Sequence, residues 1–345
     1  MNQERLPSLL NRFPEAHILV VGDYFLDYYL DLDRTLSEIS LETDLEAYQV
    51  VRVRSSPGAA GTVTSNLRAL DVRVSALGVI GSDGMGYELL RGLRVRGVDT
   101  SPLIQVADRF TPTYSKPMMH EPDGTVHELN RLDIKNRQPM PGALEDQIIA
   151  SLHRQIDQVD GIIVADQVQE ANCGVITDRV RAALNELGRT HPRVTIAVDS
   201  RARIGDYRNV IVKPNAREAV LAIHPEAIAS EIPQVLAYSS AQILYQRTGK
   251  PVFLTAGENG VLVFDEAGMT HIPGIHVVGP IDIVGAGDST MAGIVAALCC
   301  GATNAEAARM GCLVASITIQ QIGTTGTATR EQIMQRHQST SSQEE

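Results

Sequence analysis

A chain of 345 residues with 43% hydrophobic content can bury a large core, as one large α/β domain or two smaller ones. Its 30 basic against 41 acidic residues give a formal charge of −11, which disfavours a general nucleic-acid or anionic-membrane binder and points to a small-molecule partner, with room for a local basic pocket. Cys173, Cys299, Cys300 and Cys312 lack C-x-x-C spacing, no apolar run approaches the roughly 18 residues of a membrane span, and Met1-Asn2-Gln3-Glu4-Arg5 has no signal-peptide character, so free thiols and a cytoplasmic protein are expected.

In chain order, an amphipathic start at Leu6 to Phe13 precedes His17-Ile18-Leu19-Val20-Val21, a buried strand ending at Gly22-Asp23. Asp27 follows close to that strand's C-terminal end, where open α/β sheets place their ligands, so it is a substrate-site candidate beside the plainer reading of a turn residue. The alternating stretch from about 28 to 54 reads as a small half-exposed sheet. Pro57-Gly58-Ala59-Ala60-Gly61-Thr62 then opens a helix through Leu70 as a glycine-rich turn. Strand character resumes at Val72 to Ile80, a helix spans Tyr87 to Arg96, and Thr111 to Leu132 reads as a hairpin around Pro122-Asp123-Gly124, set beside the 28–54 sheet.

From Pro141 the pattern is regular. A helix to Val159, the strand Gly161 to Ala165 with Asp166, a helix from Ala171 to Gly188 and the strand Val194 to Val198 with Asp199 imply a parallel sheet whose Asp-ended strands share one rim. Val210-Ile211-Val212 leads into Lys213-Pro214-Asn215-Ala216-Arg217-Glu218, and Pro251 to Gly257 leads into the hairpin Gly260 to Phe264. A further helix runs to about Ile319 and a loop covers Gly323 to Thr327. The residues after 330 form a polar tail, with Ser339 to Glu345 expected to be disordered.

One stretch organises the rest: Gly279-Pro280-Ile281-Asp282-Ile283-Val284-Gly285-Ala286-Gly287-Asp288-Ser289-Thr290, running into a small-residue apolar helix. Gly285 and Gly287 leave backbone N–H groups uncovered, and a helix beginning near Ser289 adds the positive end of its dipole, which makes an anion cradle. A carboxylate at Asp288 fits there as the base that takes a proton from a hydroxyl attacking the cradled anion; the alternative is a helix N-cap.

Together, Asp282 with Gly285-Ala286-Gly287-Asp288, Lys213 to Glu218, and Thr255-Ala256-Gly257-Glu258-Asn259-Gly260 resemble the ribokinase-like (PfkB) family of sugar kinases, from about His17 to Gly326. Val21 to Asp27, Asn130-Arg131-Leu132-Asp133 and Asp199 through Tyr207 to Asn215 are most similar to the family's kinases that phosphorylate heptose 7-phosphate. The resemblance implies a doubly wound, mostly parallel sheet flanked by helices in a single domain over 1–330, with a β lid from about 28–54 and 111–130 that forms a homodimer interface in many relatives. It implies ATP and Mg²⁺ as cofactors, with a monovalent cation such as K⁺ near the Gly323 to Gly326 loop. Asp288 would be the general base and Gly285, Ala286 and Gly287 the anion hole. Asp23, Asp27, Gly58 and Ala59 would meet the sugar, and Thr255, Gly257, Gly260, Asn215 and Arg201 would line the nucleotide site. Asn215, Glu218 and Asp282 would place the metal.

Three departures from the family pattern stand out. The family's Gly-Gly followed closely by a sugar-touching Asn reads Pro57-Gly58-Ala59-Ala60-Gly61-Thr62 here, lacking the first glycine and with Gly61 or Thr62 in the Asn position; a lysine shortly after the strand ending at Asp166 gives way to Gln167-Val168-Gln169-Glu170; and Ile283 stands where Thr is frequent. At 345 residues no attached nucleotidyltransferase domain is expected. The rival readings are a fructose-, ribose- or nucleoside-type kinase of the same fold and a catalytically silent sugar- or nucleotide-binding regulator.

Overall fold

The architecture rests on a computed structural model that describes residues 4–227 and 232–344, with side chains described through Thr340. Met1 to Gln3, in the stretch read for a leader, and Glu345, at the end of the expected tail, lie outside the described residues.

Six parallel strands lie side by side in the spatial order Arg73–Leu77, His17–Gly22, Gly161–Asp166, Thr195–Ser200, Ile211–Val212 and Val252–Thr255. The antiparallel hairpin Val261–Asp265 and Gly268–Ile272 completes the far edge. Strands buried on both faces read as continuous apolar runs, which is why these segments lack alternation in sequence. Ile18, Val20, Ile163, Ala165, Ala197 and Phe253 point into one core, beneath helices that include Ala60–Ala69, Ala286–Cys299 and Asn304–Thr318. Leu19, Val21, Ile162, Val164, Ile196, Val198 and Leu254 point into the other, beneath Gly142–Gln155, Asp178–Thr190, Ala216–Ile223 and Gln234–Thr248. The result is the expected doubly wound α/β layer sandwich.

The lid is an extension of the first strand. After Gly22 and the single residue Asp23, the chain enters a second sheet as Tyr24–Asp33, pairing antiparallel with Val50–Ala59 and parallel with Thr113–His120. Val126–Glu128 and Leu132–Ile134 pair with Thr113–His120 on its other side. The two alternating regions of the sequence therefore do form one sheet, beginning at Tyr24 and reaching Ile134. Its strands alternate because only one face is covered.

Two segments differ from expectation. The helix expected from Ala171 spans Asp178–Thr190 instead, since Asn172 turns the backbone at φ 60° and the Thr177 hydroxyl caps Val180 N at 3.3 Å; residues 167–177 are a loop. The expected disordered tail is a helix, Arg330–Glu344, docked by the fully buried Ile333, by Arg330 on Asp71 at 2.6 Å and by Arg336 on the Ser316 carbonyl at 3.2 Å. Polar composition concealed an apolar anchor, Ile333, with Met334 packed beside it. Among the described residues no helix is long and apolar enough to cross a membrane, and all four cysteines are free thiols.

Gly22 joins the two sheets at φ 149°, and a Cβ there would sit 2.2 Å from the Ala165 carbonyl oxygen of the neighbouring strand. At Gly268, φ is 98° but nothing lies within 4 Å of the would-be Cβ. Gly22→Ala is expected to destabilise by about 3 kcal/mol or more, and Gly268→Ala by only about 1–2 kcal/mol. Urea denaturation midpoints compared at equal slope check the difference.

Candidate active site

The parallel strands bring their polar ends to one rim, as strand direction requires. Asp27 follows the first strand, Asp166 and Asp199 lie at the ends of theirs, Lys213 and Asn215 follow Ile211–Val212, and Thr255 ends Val252–Thr255. Above this rim lies the start of the helix Ala286–Cys299, which opens from Gly285 in the left-handed conformation at φ 79°. Asp288 is the third residue of that helix, and the N-cap position belongs to Gly285 with no side-chain cap. The Ala286 N–H is spent on the Ile283 carbonyl at 3.1 Å, whereas the N–H groups of Gly285, Gly287 and Asp288 have no backbone acceptor among the described residues. The free donors of the cradle are thus Gly285, Gly287 and Asp288 rather than the Gly285–Gly287 triplet. A Cβ on Gly285 would meet Thr325 at 2.8 Å and Thr62 at 3.3 Å, so glycine is needed for space as well as for its φ.

A buried ion pair lies next to the cradle. Lys213, 3% exposed, holds its Nζ 2.8 Å from Asp199 Oδ2, and a Cβ on Gly287 would be 3.6 Å from that Nζ. Burial, then the neighbouring Asp199 charge, pushes the Asp288 carboxyl up to about 7, opposed by Lys213 and Arg201. Burial and Asp199 likewise push Glu218 up to about 7. Three carboxylates thus crowd one buried ammonium, and their mutual repulsion leaves negative charge that a divalent cation would neutralise.

Asn215 and Glu218 form a reciprocal capping box at the start of Ala216–Ile223: Asn215 Oδ1 accepts from Glu218 N and Glu218 Oε2 accepts from Asn215 N, each at 2.9 Å. This fixes Glu218 and leaves its other oxygen free. Among the described residues no group of three or more His, Cys, Asp or Glu could enclose a metal alone. The donor set suits Mg²⁺, which keeps waters and phosphate oxygens and takes only one or two carboxylates from protein. Asp282 is placed differently: its Oδ1 accepts from Val284 N at 3.0 Å and its N–H donates to Ile319 at 2.8 Å, so it braces its own turn.

In the lid, Asp27 Oδ1 pairs with Lys116 Nζ at 2.8 Å, and Oδ2 would lie 2.5 Å from a Cβ on Gly58. Gly58 is therefore what lets Asp27 approach the backbone. Ala59 enters the helix Ala60–Ala69 at φ 52°, ψ −116°, a conformation that suits glycine, so alanine there carries strain of about 1–3 kcal/mol at the rim. Asp23 faces away from Asp27 and accepts three backbone N–H groups. Burial and the neighbouring Asp166 push its carboxyl up to about 6.

On the nucleotide side, Thr255 N donates to the Pro214 carbonyl at 2.9 Å and fastens the Lys213-Pro214-Asn215 turn to the adjacent strand. Gly257, at φ 59°, has open space at its Cβ position and faces the cleft freely. Gly260 is a packing glycine: a Cβ there would lie 2.2 Å from the Ile272 carbonyl oxygen.

A cleft between lid and body is lined by Tyr114, Arg131 and Lys135 on one side and by Gln167, Gln169 and Arg201 on the other. The Arg131 guanidinium stacks on the Tyr114 ring, 4.3 Å from its centroid, with Lys135 Nζ at 5.9 Å. Arg201 lines this cleft and its charge also opposes the raised carboxyls of Asp288 and Glu218, while Arg131 is held bidentate by Asp133 at 2.6 and 2.9 Å. Reading the sequence alone missed Lys213, Lys116, Arg131 and Lys135 as site residues. Lys213 carried a signal, a lysine at a strand's C-terminal end, but the lid cations become neighbours of the rim only through folding.

A family profile described as pfkB family carbohydrate kinase matches residues 16–331. The protein named bifunctional protein HldE from Trichlorobacter lovleyi is 30% identical over 327 residues, and its namesake from Geobacter metallireducens 28% over 336 residues. These matches cover 94% and 96% of this chain, which spans only 63% and 65% of those relatives' length. Among solved structures, Arabidopsis thaliana ribokinase complexed with ribose and ATP superposes with a TM-score of 0.66 at 17% identity, over 93% of this chain and 98% of that one. The Burkholderia thailandensis nucleoside kinase in complex with inosine gives 0.62 at 18% identity, over 94% and 96% of the two chains. Those two likenesses speak for the fold, and the profile, which spans nearly the whole described chain and both rim motifs, settles the lineage: the chain belongs to the pfkB family of carbohydrate kinases.

Proposed function

We propose that the chain transfers the γ-phosphoryl group of ATP to a hydroxyl of a sugar that already carries a phosphate, with heptose 7-phosphate as the acceptor. The observation that carries this reading is the cleft lined by Arg131, Lys135 and Arg201. Arg131 is held by Asp133 at 2.6 Å, while Lys135 and Arg201 form no ion pair among the described residues, and two such cations facing one cleft suit a dianionic phosphate better than a neutral sugar. The missing lysine at Gln167 is thereby offset from the opposite wall. The choice of heptose is supported by the likeness of Asn130 to Asp133 and of Asp199 to Asn215 to heptose-phosphate kinases, and by similarity to the proteins named HldE.

In this mechanism Asp27 orients sugar hydroxyls while its other oxygen stays on Lys116. Asp288 accepts the proton of the attacking hydroxyl, a task that suits a carboxyl raised towards neutrality. The N–H groups of Gly285, Gly287 and Asp288 receive the developing charge on the transferred group, and Lys213 supplies the fixed positive charge that a phosphate-loop lysine provides elsewhere. Asn215 and Glu218 would hold Mg²⁺ and its waters; when bound, the ion neutralises charge on the phosphate oxygens. Thr255 and Gly257 border the ATP, and a monovalent cation such as K⁺ belongs near the Gly323 to Gly326 loop. The reading includes a homodimer formed lid to lid, supported by Ile39, Leu41, Leu45, Val51 and Val53, all exposed on the lid's outer end.

Asp288→Asn is expected to lower kcat by about 10²–10⁴ while ATP still binds, measured as ADP release with heptose 7-phosphate. Because the base works deprotonated and titrates at about 7, wild-type kcat/KM is expected to rise roughly tenfold or more per pH unit below that value and level off above it; the variant's profile is expected to be shallower, since the Asp288 proton is gone while Glu218 still titrates at about 7. Lys135→Ala and Arg201→Ala are expected to raise KM for heptose 7-phosphate by about tenfold or more and to leave any turnover of unphosphorylated heptose unaffected in KM. Sedimentation of Leu45→Glu against wild type checks the dimer, which is expected to dissociate.

A further inference from the structure

Residues 167–177 connect the strand Gly161–Asp166 to the helix Asp178–Thr190 without regular structure, yet Gln167, Val168, Gln169, Glu170, Cys173 and Gly174 form a wall of the cleft. An irregular loop can present a fixed surface only if its backbone groups are satisfied by something else. Here charged side chains do it. Asp23, 4% exposed, accepts Gln167 N at 2.9 Å and Val168 N at 3.0 Å on Oδ2, and Val175 N at 2.7 Å on Oδ1. One carboxylate thus holds both ends of the loop. The carbonyl side is taken by Arg203, which donates to Val168 O at 3.0 Å and Gln169 O at 2.6 Å, and by Arg109, which donates to Cys173 O at 2.6 Å.

Space around the carboxylate is equally restricted. A Cβ on Gly174 would sit 2.7 Å from Asp23 Oδ1 and 2.8 Å from Val168 Cβ, so glycine at this position is what allows the loop to close over Asp23. Asp23 belongs to the lining of the cleft, but it is only 4% exposed and both of its oxygens carry N–H groups of the loop, two on Oδ2 and one on Oδ1.

We propose that Asp23 is a positioning residue: it clamps the 167–175 loop into the wall that reads the acceptor, and so governs acceptor recognition through that loop. This rests on the assignment of the cleft to the acceptor made above, but the clamp itself is a property of the free protein. Asn at this position would offer one acceptor oxygen and one NH₂ group to three N–H donors, leaving at least one of them opposed by another donor.

The test uses Asp23→Asn and, from the loop side with the carboxylate intact, Gly174→Ala. Amide hydrogen exchange of the substrate-free protein is expected to accelerate about ten- to hundred-fold at residues 167–175 in both variants, with the strand residues 161–165 unchanged. In ADP release with ATP and Mg²⁺, KM for heptose 7-phosphate is expected to rise by a similar factor, with KM for ATP unchanged and kcat reduced less than KM is raised. Unchanged exchange in folded Asp23→Asn would overturn the clamp. So would a raised acceptor KM without faster loop exchange, since that pattern means direct contact with the sugar. Should the wild type itself not turn over heptose 7-phosphate, the substrate reading fails alone, and the exchange data still decide the role of Asp23. If Asp23→Asn does not fold, Gly174→Ala decides it on the same two readouts.

Discussion

The electrostatics of the rim depend on one ammonium group kept out of water. Lys213 is buried at the rim with a single short partner, Asp199, and such a pair is seldom a net gain in stability once the cost of desolvating both charges is counted. Its value lies in what it does to neighbours. Asp288 and Glu218 feel burial and the Asp199 charge, which raise their proton affinity, and Lys213, which opposes the rise. The balance leaves Asp288 near neutrality, able both to accept a proton and to release it. The open N–H groups of the 285–288 turn complete a field that is fixed before any substrate arrives, so little reorganisation is needed during transfer.

That field is built from distant parts of the chain because parallel strands end on one side. Asp199, Lys213 and Thr255 come from three consecutive strands of the sheet, and the helix that starts at Ala286 packs across them. The acceptor side is assembled differently. Lys116 and Tyr114 lie on the lid strand that pairs with Tyr24–Asp33, and Arg131 immediately precedes the strand Leu132–Ile134, so in the proposed reading the acceptor meets a sheet separate from the one that carries the rim.

Much of this was legible in the sequence. Long apolar runs that ended in Asp fixed the sheet direction, and Gly-x-Gly before a small-residue helix marked a turn whose N–H groups stand open at the helix start. What failed did so for physical reasons. The start of the helix at Asp178 was misplaced because residues 171–177 have helix-compatible composition, while their backbone is held by Asp23, Arg109 and Arg203, partners far away in sequence. The C-terminal helix was taken for a loose tail because one buried isoleucine and two arginine contacts leave little periodicity to detect. Asp23 and Gly260 were read as ligand contacts from their positions in motifs; only coordinates reveal that the first holds a loop and the second lets two backbones approach.

The joint between the two sheets has a mechanical meaning. Only Asp23 separates the central strand His17–Gly22 from the lid strand Tyr24–Asp33, and the side chain of that same residue fastens the facing loop. Lid and loop form facing walls of the cleft, and both are attached to one residue whose neighbour, Gly22, has no room for even a methyl group. That residue is a keystone: covalent backbone ties it to the lid strand, and three N–H···O bonds tie its side chain to the loop, so the two walls share a single fixed point.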